Sequence, residues 1–177
     1  MLSLKELDTE QINTGKENTI LISPAQVDDV ISPELSGVAL LDALASITDA
    51  TKDNPYKIEI ERGSYDLGTQ TLRMKPFVDI EGEGQENTSI ISKAAYEKFS
   101  GGTIEGADFS ELRQLTVICS NPDKTGSSSA VTNVGASPKL TQVTCIANGP
   151  FINYAIVNKD SLPVLTGVTV IASGFSN

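Results

Sequence analysis

The chain has 177 residues, enough for one domain or one domain plus an arm, with 39% hydrophobic and 5% aromatic residues, no Trp and no His. A formal charge of −10 disfavours partners such as nucleic acid or anionic lipid, and no apolar stretch reaches the length of a membrane span. The absence of His removes the commonest general base and metal ligand.

The N-terminus, MLSLKELDTEQINTGKENT, is polar and acidic and lacks the basic and apolar regions of a secretory signal. Cytoplasmic synthesis or inclusion in a virion is therefore expected, with a cell-surface location as the alternative. Residues 1–35 hold no sustained period, only short apolar pieces such as Ile20, Leu21 and Ile22, and read as an arm or linker. Residues 36–55 read as an amphipathic helix. Val38, Leu41, Leu44, Ala45 and Ile47 recur mostly at three- and four-residue spacing, Ser36 is the expected N-cap, and Asn54-Pro55 ends the segment. Such a helix is well placed to cover the open end of a stack of strands.

From Tyr56 the period switches to two. In YKIEIERGSYDLG, Ile58 and Ile60 take one face and Glu59 and Glu61 the other; in PFVDIEGEG, Val78 and Ile80 point inward with Asp79 and Glu81 outward. Tyr65, Leu67, Leu72 and Met74 supply further inward pairs, and Ile90, Ile91, Ile104 and Phe109 further apolar rungs. The strongest signal comes last. AVTNVGASPKLTQVTCIANGPFI (130–152) aligns without a gap on AIVNKDSLPVLTGVTVIASGFSN (155–177), with identities that include Asn133/Asn158, Leu140/Leu165, Thr144/Thr169 and Ile146/Ile171. LRQLTVIC (112–119) matches LTQVTCIA (140–147) in the same way, with an insertion in NPDKTGSSS.

A repeat of this length, rich in Val, Ile and Thr and broken by Asn, Gly and Pro, is one turn of a parallel β-solenoid. The expected fold is all-β: a right-handed, single-stranded parallel β-helix over residues 56–177, capped by the helix and continuing beyond Asn177.

Several constellations qualify as sites. Stacking of 58–61 on 78–81 would put Glu59 beside Asp79 and Glu61 beside Glu81, about 5 Å apart. Four carboxylates so close would attract Ca²⁺ or act as an acid/base pair on a glycosidic bond. The competing expectation is a solvated face, its carboxylates splayed and balanced by Lys57, Arg62 and Arg73. GEGQEN (82–87) is a solenoid turn rather than a phosphate loop, since a polar turn and no apolar helix comes after it. The outward files Thr116/Thr144/Thr169 and Ile118/Ile146/Ile171 would form a flat stripe, a contact surface covered by the arm or by a symmetry mate. Asn133 and Asn158 form a structural ladder. Cys119 and Cys145 fall inward on neighbouring strands, staggered by two residues, and read as buried free thiols.

The run KIEIERGSYDLGTQTLRMKPFVDIEGEGQENTSII, with SELRQLTV and the ASPKLTQVT and SLPVLTGVT units, resembles right-handed β-helix proteins of the pectin lyase-like superfamily. Within it, the chain looks like a group of uncharacterised bacterial and phage repeat proteins. The pectin methylesterases of that superfamily carry a Gln before an Ala-Val pair and a Gln-Asp before a Tyr-containing strand. Here Ser129 precedes Ala130-Val131, and Phe151-Ile152 precedes Asn153-Tyr154, so the esterase residues are missing. The resemblance therefore implies a non-enzymatic structural or attachment module of a phage tail fibre, tailspike-like particle or cell-surface assembly. Self-association, with a homotrimer among the candidate states, other assembly proteins or a surface glycan would be its partners. A polysaccharide-active lyase or hydrolase, or a glycan-binding module, is the alternative on the same fold.

Overall fold

A computed structural model describes residues 9–13 (backbone only), 18–27, 30–123 and 126–174. Strand makes up 53% of it, arranged as a β-solenoid of about four turns and not as a barrel. A capping layer comes first. It holds β1 (Thr9–Asn13) antiparallel to β2 (Asn18–Ile22), a small hairpin of β3 (Gln26–Val27) and β4 (Val30–Ile31), and helix α1 (Pro33–Ser46). Next is a turn of β5 (Tyr56–Ile60), β6 (Gly63–Asp66) and β7 (Leu72–Arg73). The second turn has β8 (Val78–Glu81), β9 (Thr88–Ser92), a hairpin of β10 (Tyr96–Glu97) and β11 (Ser100–Gly101), and β12 (Ile104–Glu105). Two longer-stranded turns complete the body: β13 (Glu111–Cys119) with β14 (Ser128–Val134), and β15 (Lys139–Gly149) with β16 (Asn153–Lys159). A partial turn of β17 (Val164–Thr166) and β18 (Thr169–Gly174) lies on top.

Parallel pairing builds three faces. The first runs β2-β5-β8-β13-β15-β17, the second β6-β9-β13-β15-β18, and the third β7-β12-β14-β16. The chain turns from first face to second at one residue of positive φ, Gln114 (55°), Gln142 (52°) or Gly167 (61°). A single left-handed residue bends a strand without a loop, so one long strand serves two faces. In the earlier turns the same corner is a loop, which at 82–87 is the GEGQEN segment.

Each face contributes an inward file. On the first, Ile58, Ile80, Leu112 and Leu140 stack in register, each 1% exposed or less. On the second, Tyr65, Ile90, Val117 and Cys145 are fully buried, and on the third Leu72, Ile104 and Val131 are buried in the same way. Burying each large side chain is worth roughly 1.5–3 kcal/mol. The repeat alignment is reproduced residue for residue: Leu140 faces Leu165, and Val117 faces Cys145 with Cys119 facing Ala147. Both cysteines are buried and unbridged, and Asn133 donates to the Asn158 side chain at 2.8 Å.

The structure corrects three expectations. Residues 20–22 are not arm but the first rung: β2 pairs parallel with β5, Ile20 on Ile58 and Ile22 on Ile60. The helix spans Pro33–Ser46, with Ser32 as N-cap accepting from the Leu35 amide at 3.3 Å and Pro33 in the first turn. Ser36 is instead buried in the helix; its hydroxyl donates to Ser32 O and accepts from the Ala25 amide. Phe109 is no rung. It is 73% exposed, at φ 57°, with its ring stacked 5.1 Å from that of Phe77.

Helix α1 buries Ala39, Leu40, Ala43 and Leu44 on the first rungs, and Lys75 caps it by donating to Ala45 O and Ile47 O. Gly37 lies where the helix crosses the end of β6, and a Cβ there would sit 2.0 Å from Asp66 O. Alanine normally stabilises a helix interior by about 1 kcal/mol over glycine. The sign is expected to reverse here: Gly37→Ala should lower the urea midpoint, and a midpoint at or above wild type would refute the close docking of α1 on β6.

Candidate functional site

The first candidate is the outward surface of the first face. Two files run down it, Lys57–Asp79–Glu111–Lys139 and Glu59–Glu81–Arg113–Thr141. The pairing of acids differs from the one expected. Glu59 faces Glu81, Asp79 faces Lys57, and Glu61 lies past the end of β5 with its amide on Ile22 O. The strands sit two residues out of the expected register because Tyr56 stacks on Val78 and Ile58 on Ile80.

This shift puts cations among the carboxylates. Lys57 contacts Glu59 and lies 3.7 Å from Glu81. Arg113 reaches Glu81 at 3.0 Å, Glu111 at 3.2 Å and Asp79 at 3.7 Å, and Lys139 reaches Glu111 at 3.1 Å. Asp79 also accepts the Glu111 amide at 2.7 Å. The balancing groups are thus Lys57, Arg113 and Lys139; Arg73 serves Glu105 on the third face, at 2.7 Å. Among the described residues, no group of three or more Asp, Glu, Cys or His side chains is placed to hold a metal ion. Beside the lattice, Leu21, Lys57, Glu59, Glu61, Glu81 and Glu83 line part of an open cleft of about 380 Å³.

Burial alone would raise the Glu111 pKa. The hydrogen bond from Thr141 (2.5 Å) and the charges of Lys139 and Arg113 outweigh it and hold the carboxyl below its ordinary value. Glu105 behaves alike: burial is overcome by the Gly101 amide (2.6 Å), the Ser100 hydroxyl (2.8 Å) and Arg73. The Cys145 thiol is pushed up to about 12 by burial, which leaves it a poor nucleophile.

The second candidate is the outward surface of the second face. Its hydroxyl file is longer than expected, Ser64–Ser89–Thr116–Thr144–Thr169, and beside it run Ile91–Ile118–Ile146–Ile171. Thr116 is only 8% exposed, because its hydroxyl donates to Gln85 O in the 82–87 loop at 2.6 Å. The loop, rather than the arm, covers the stripe at that point. Ile118, Thr144 and Ile146 are half-buried, and Thr169 and Ile171 exposed.

Sequence reading missed a third feature, an aromatic cluster on the third face. The β10–β11 hairpin folds across β14, with Gly101 O accepting from Thr132 at 3.0 Å, and Tyr96 packs edge-on against Tyr154 at 5.4 Å. At its tip Lys98 and Phe99 both have positive φ, and Lys159 lies 4.9 Å from the centre of the Phe99 ring. Phe99, Phe151 and Tyr154 are exposed. The signal available in sequence was KF at the centre of a two-residue turn, where Asn-Gly is usual.

Glu105 and Glu111 have lower pKa values folded than unfolded, so the stability they add is present above the ordinary value of 4.5 and is lost as pH falls through the folded values. The double variant Glu105→Gln/Glu111→Gln should therefore be less stable than wild type at neutral pH, with the gap in melting temperature closing as the pH is taken below 4.5. A constant gap across that range would show that the carboxylate charges contribute nothing.

Comparison with known proteins returns no match: no family profile, curated protein or solved structure is recognisably similar to this chain.

Proposed function

We propose that this chain is a non-catalytic structural and attachment module, a solenoid segment of a larger fibre or surface assembly of the phage tail-fibre, tailspike or cell-surface kind. The observation that carries this reading is the outward file of Ile91, Ile118, Ile146 and Ile171, in register over successive turns and flanked by hydroxyls. A flat, repetitive surface suits adhesion to another extended surface, whereas catalysis needs acid, base and polarising groups converging on one point. The charged groups support the same reading. Cations interleave with the carboxylates of the first face, and Glu105 and Glu111 are displaced downward, away from the raised pKa that a general acid needs. Other copies of the chain, or other proteins of the assembly, meet it along the isoleucine file.

One observation favours a second reading, a glycan-binding module. Tyr96 packs against Tyr154, the exposed Phe99 sits at the tip of the hairpin that carries Tyr96, and exposed rings stack on the apolar faces of sugars. A polysaccharide array scored for both retention and new reducing ends separates the readings. The structural module predicts neither signal. New reducing ends would overturn the non-catalytic assignment. Retention without cleavage, abolished by Phe99→Ala/Tyr154→Ala, would establish the glycan-binding reading in its place.

A further inference from the structure

Helix α1 is apolar on both sides. Ser36, Gly37, Ala39, Leu40, Ala43 and Leu44 are buried, the helix lying on β6. The side turned to water carries Val38, 43% exposed, and the exposed Ala45, with the half-buried Leu41 between them. A helix bordering water ordinarily keeps that side polar, and one apolar all round is covered on both sides. The hairpin that leads into α1 has the same character. Val27, Val30 and Ile31 are exposed, Val30 at 68%, although β3 and β4 pair with each other. It is tied to the start of the helix, with the Ser32 amide donating to Ala25 O and the Ala25 amide to the Ser36 hydroxyl.

The charge of this surface has one sign. From Asn18 to Thr51 the sequence holds Asp28, Asp29, Glu34, Asp42 and Asp49 and no Lys or Arg. On the solenoid body, carboxylates sit among cations, as Glu81 does beside Arg113 and Glu111 beside Lys139. Glu34 and Asp42, both exposed on α1, enter no ion pair among the described residues. Lys75, which reaches α1 from the solenoid, is bonded to the carbonyls of Ala45 and Ile47 at its C-terminal end.

We propose that the outer side of α1, with the β3–β4 hairpin, is a docking surface for a helical segment of another protein, apolar along one side and bearing Lys or Arg beside that stripe. Val38, Leu41 and Ala45 recur at three- and four-residue spacing, the ridge that a second helix packs against. The partner's apolar stripe covers Val38 and the hairpin valines, and its basic side chains meet Glu34 and Asp42. A second copy of the chain does not suit this face. Val38 lies midway between Glu34 and Asp42, so a twofold contact centred on it sets Glu34 of one copy against Asp42 of the other. The inference is independent of the lateral isoleucine file, which lies on the second face.

Two measurements test it. In Val38→Cys the new thiol is the accessible one, since Cys119 and Cys145 are buried, and it should react with a maleimide at close to the rate of a free thiol at every protein concentration. Protection would show that the chain itself or a second copy already covers α1, and would overturn the proposal. Binding is read by fluorescence anisotropy with a synthetic helical peptide, a leucine stripe flanked by lysines, beside a scrambled peptide of the same composition. The striped peptide should bind at least about tenfold more tightly. Glu34→Lys/Asp42→Lys and the uncharged Val30→Asn/Val38→Asn should each weaken it by about tenfold with an unchanged circular dichroism spectrum. Glu97→Lys/Asp160→Lys makes the same charge change at exposed residues elsewhere and should leave binding intact. Equal binding of the two peptides, undiminished binding by either α1 variant, or an equal loss in the remote variant would each refute the assignment.

Discussion

Every feature of this molecule follows from turns of chain that stack at the inter-strand spacing of about 4.8 Å, so that each side chain sits directly on its equivalent in the next turn. A file of equivalents must then be compatible with itself. Inward files meet that demand with aliphatic groups, Ile58–Ile80–Leu112–Leu140 being one. Charged outward files meet it by mixing signs: Lys57 and Lys139 bracket Asp79 and Glu111, and Arg113 sits below Glu81. A column of like charges at that spacing would repel itself. Surface ion pairs add only about 0–1 kcal/mol each, so the buried files supply most of the stability while the charges favour one alignment of turns over its neighbours.

Departures from regularity are confined to corners, where extra length costs little. There the chain either bends at one left-handed residue, as at Gln142, or inserts a segment that folds back over a face. The 82–87 loop brings Gln85 O onto Thr116, and the β10–β11 hairpin brings Gly101 O onto Thr132. Both insertions cover hydroxyls of the third turn, on β13 and β14.

Interleaved cations on the first face go with the absence, among the described residues, of any carboxylate group placed to hold a metal ion. On the first face Lys57, Arg113 and Lys139 lie among the carboxylates, while Glu61 and Glu83 add two further acids to the cleft beside them. Both thiols are buried, and burial holds that of Cys145 protonated. The outward files repeat from turn to turn, as the inward files do.

The sequence by itself determined the solenoid, the inward files, the Asn133–Asn158 ladder, the stagger of the cysteines and the Thr and Ile files. All of these are consequences of a repeat visible in 130–177 and of side-chain parity. Tertiary structure alone decided the choices that a period leaves open. Sliding a strand by two residues keeps every inward residue inward, so parity could not tell whether Glu59 faces Asp79 or Glu81; the stacking of Tyr56 on Val78 did. Moving a helix start by about one turn keeps the same apolar stripe, and the Ala25 amide bonded to Ser36 placed that residue inside the helix rather than at its cap. The meeting of Tyr96 with Tyr154 lies outside any period, since it depends on where an inserted hairpin folds back across neighbouring turns.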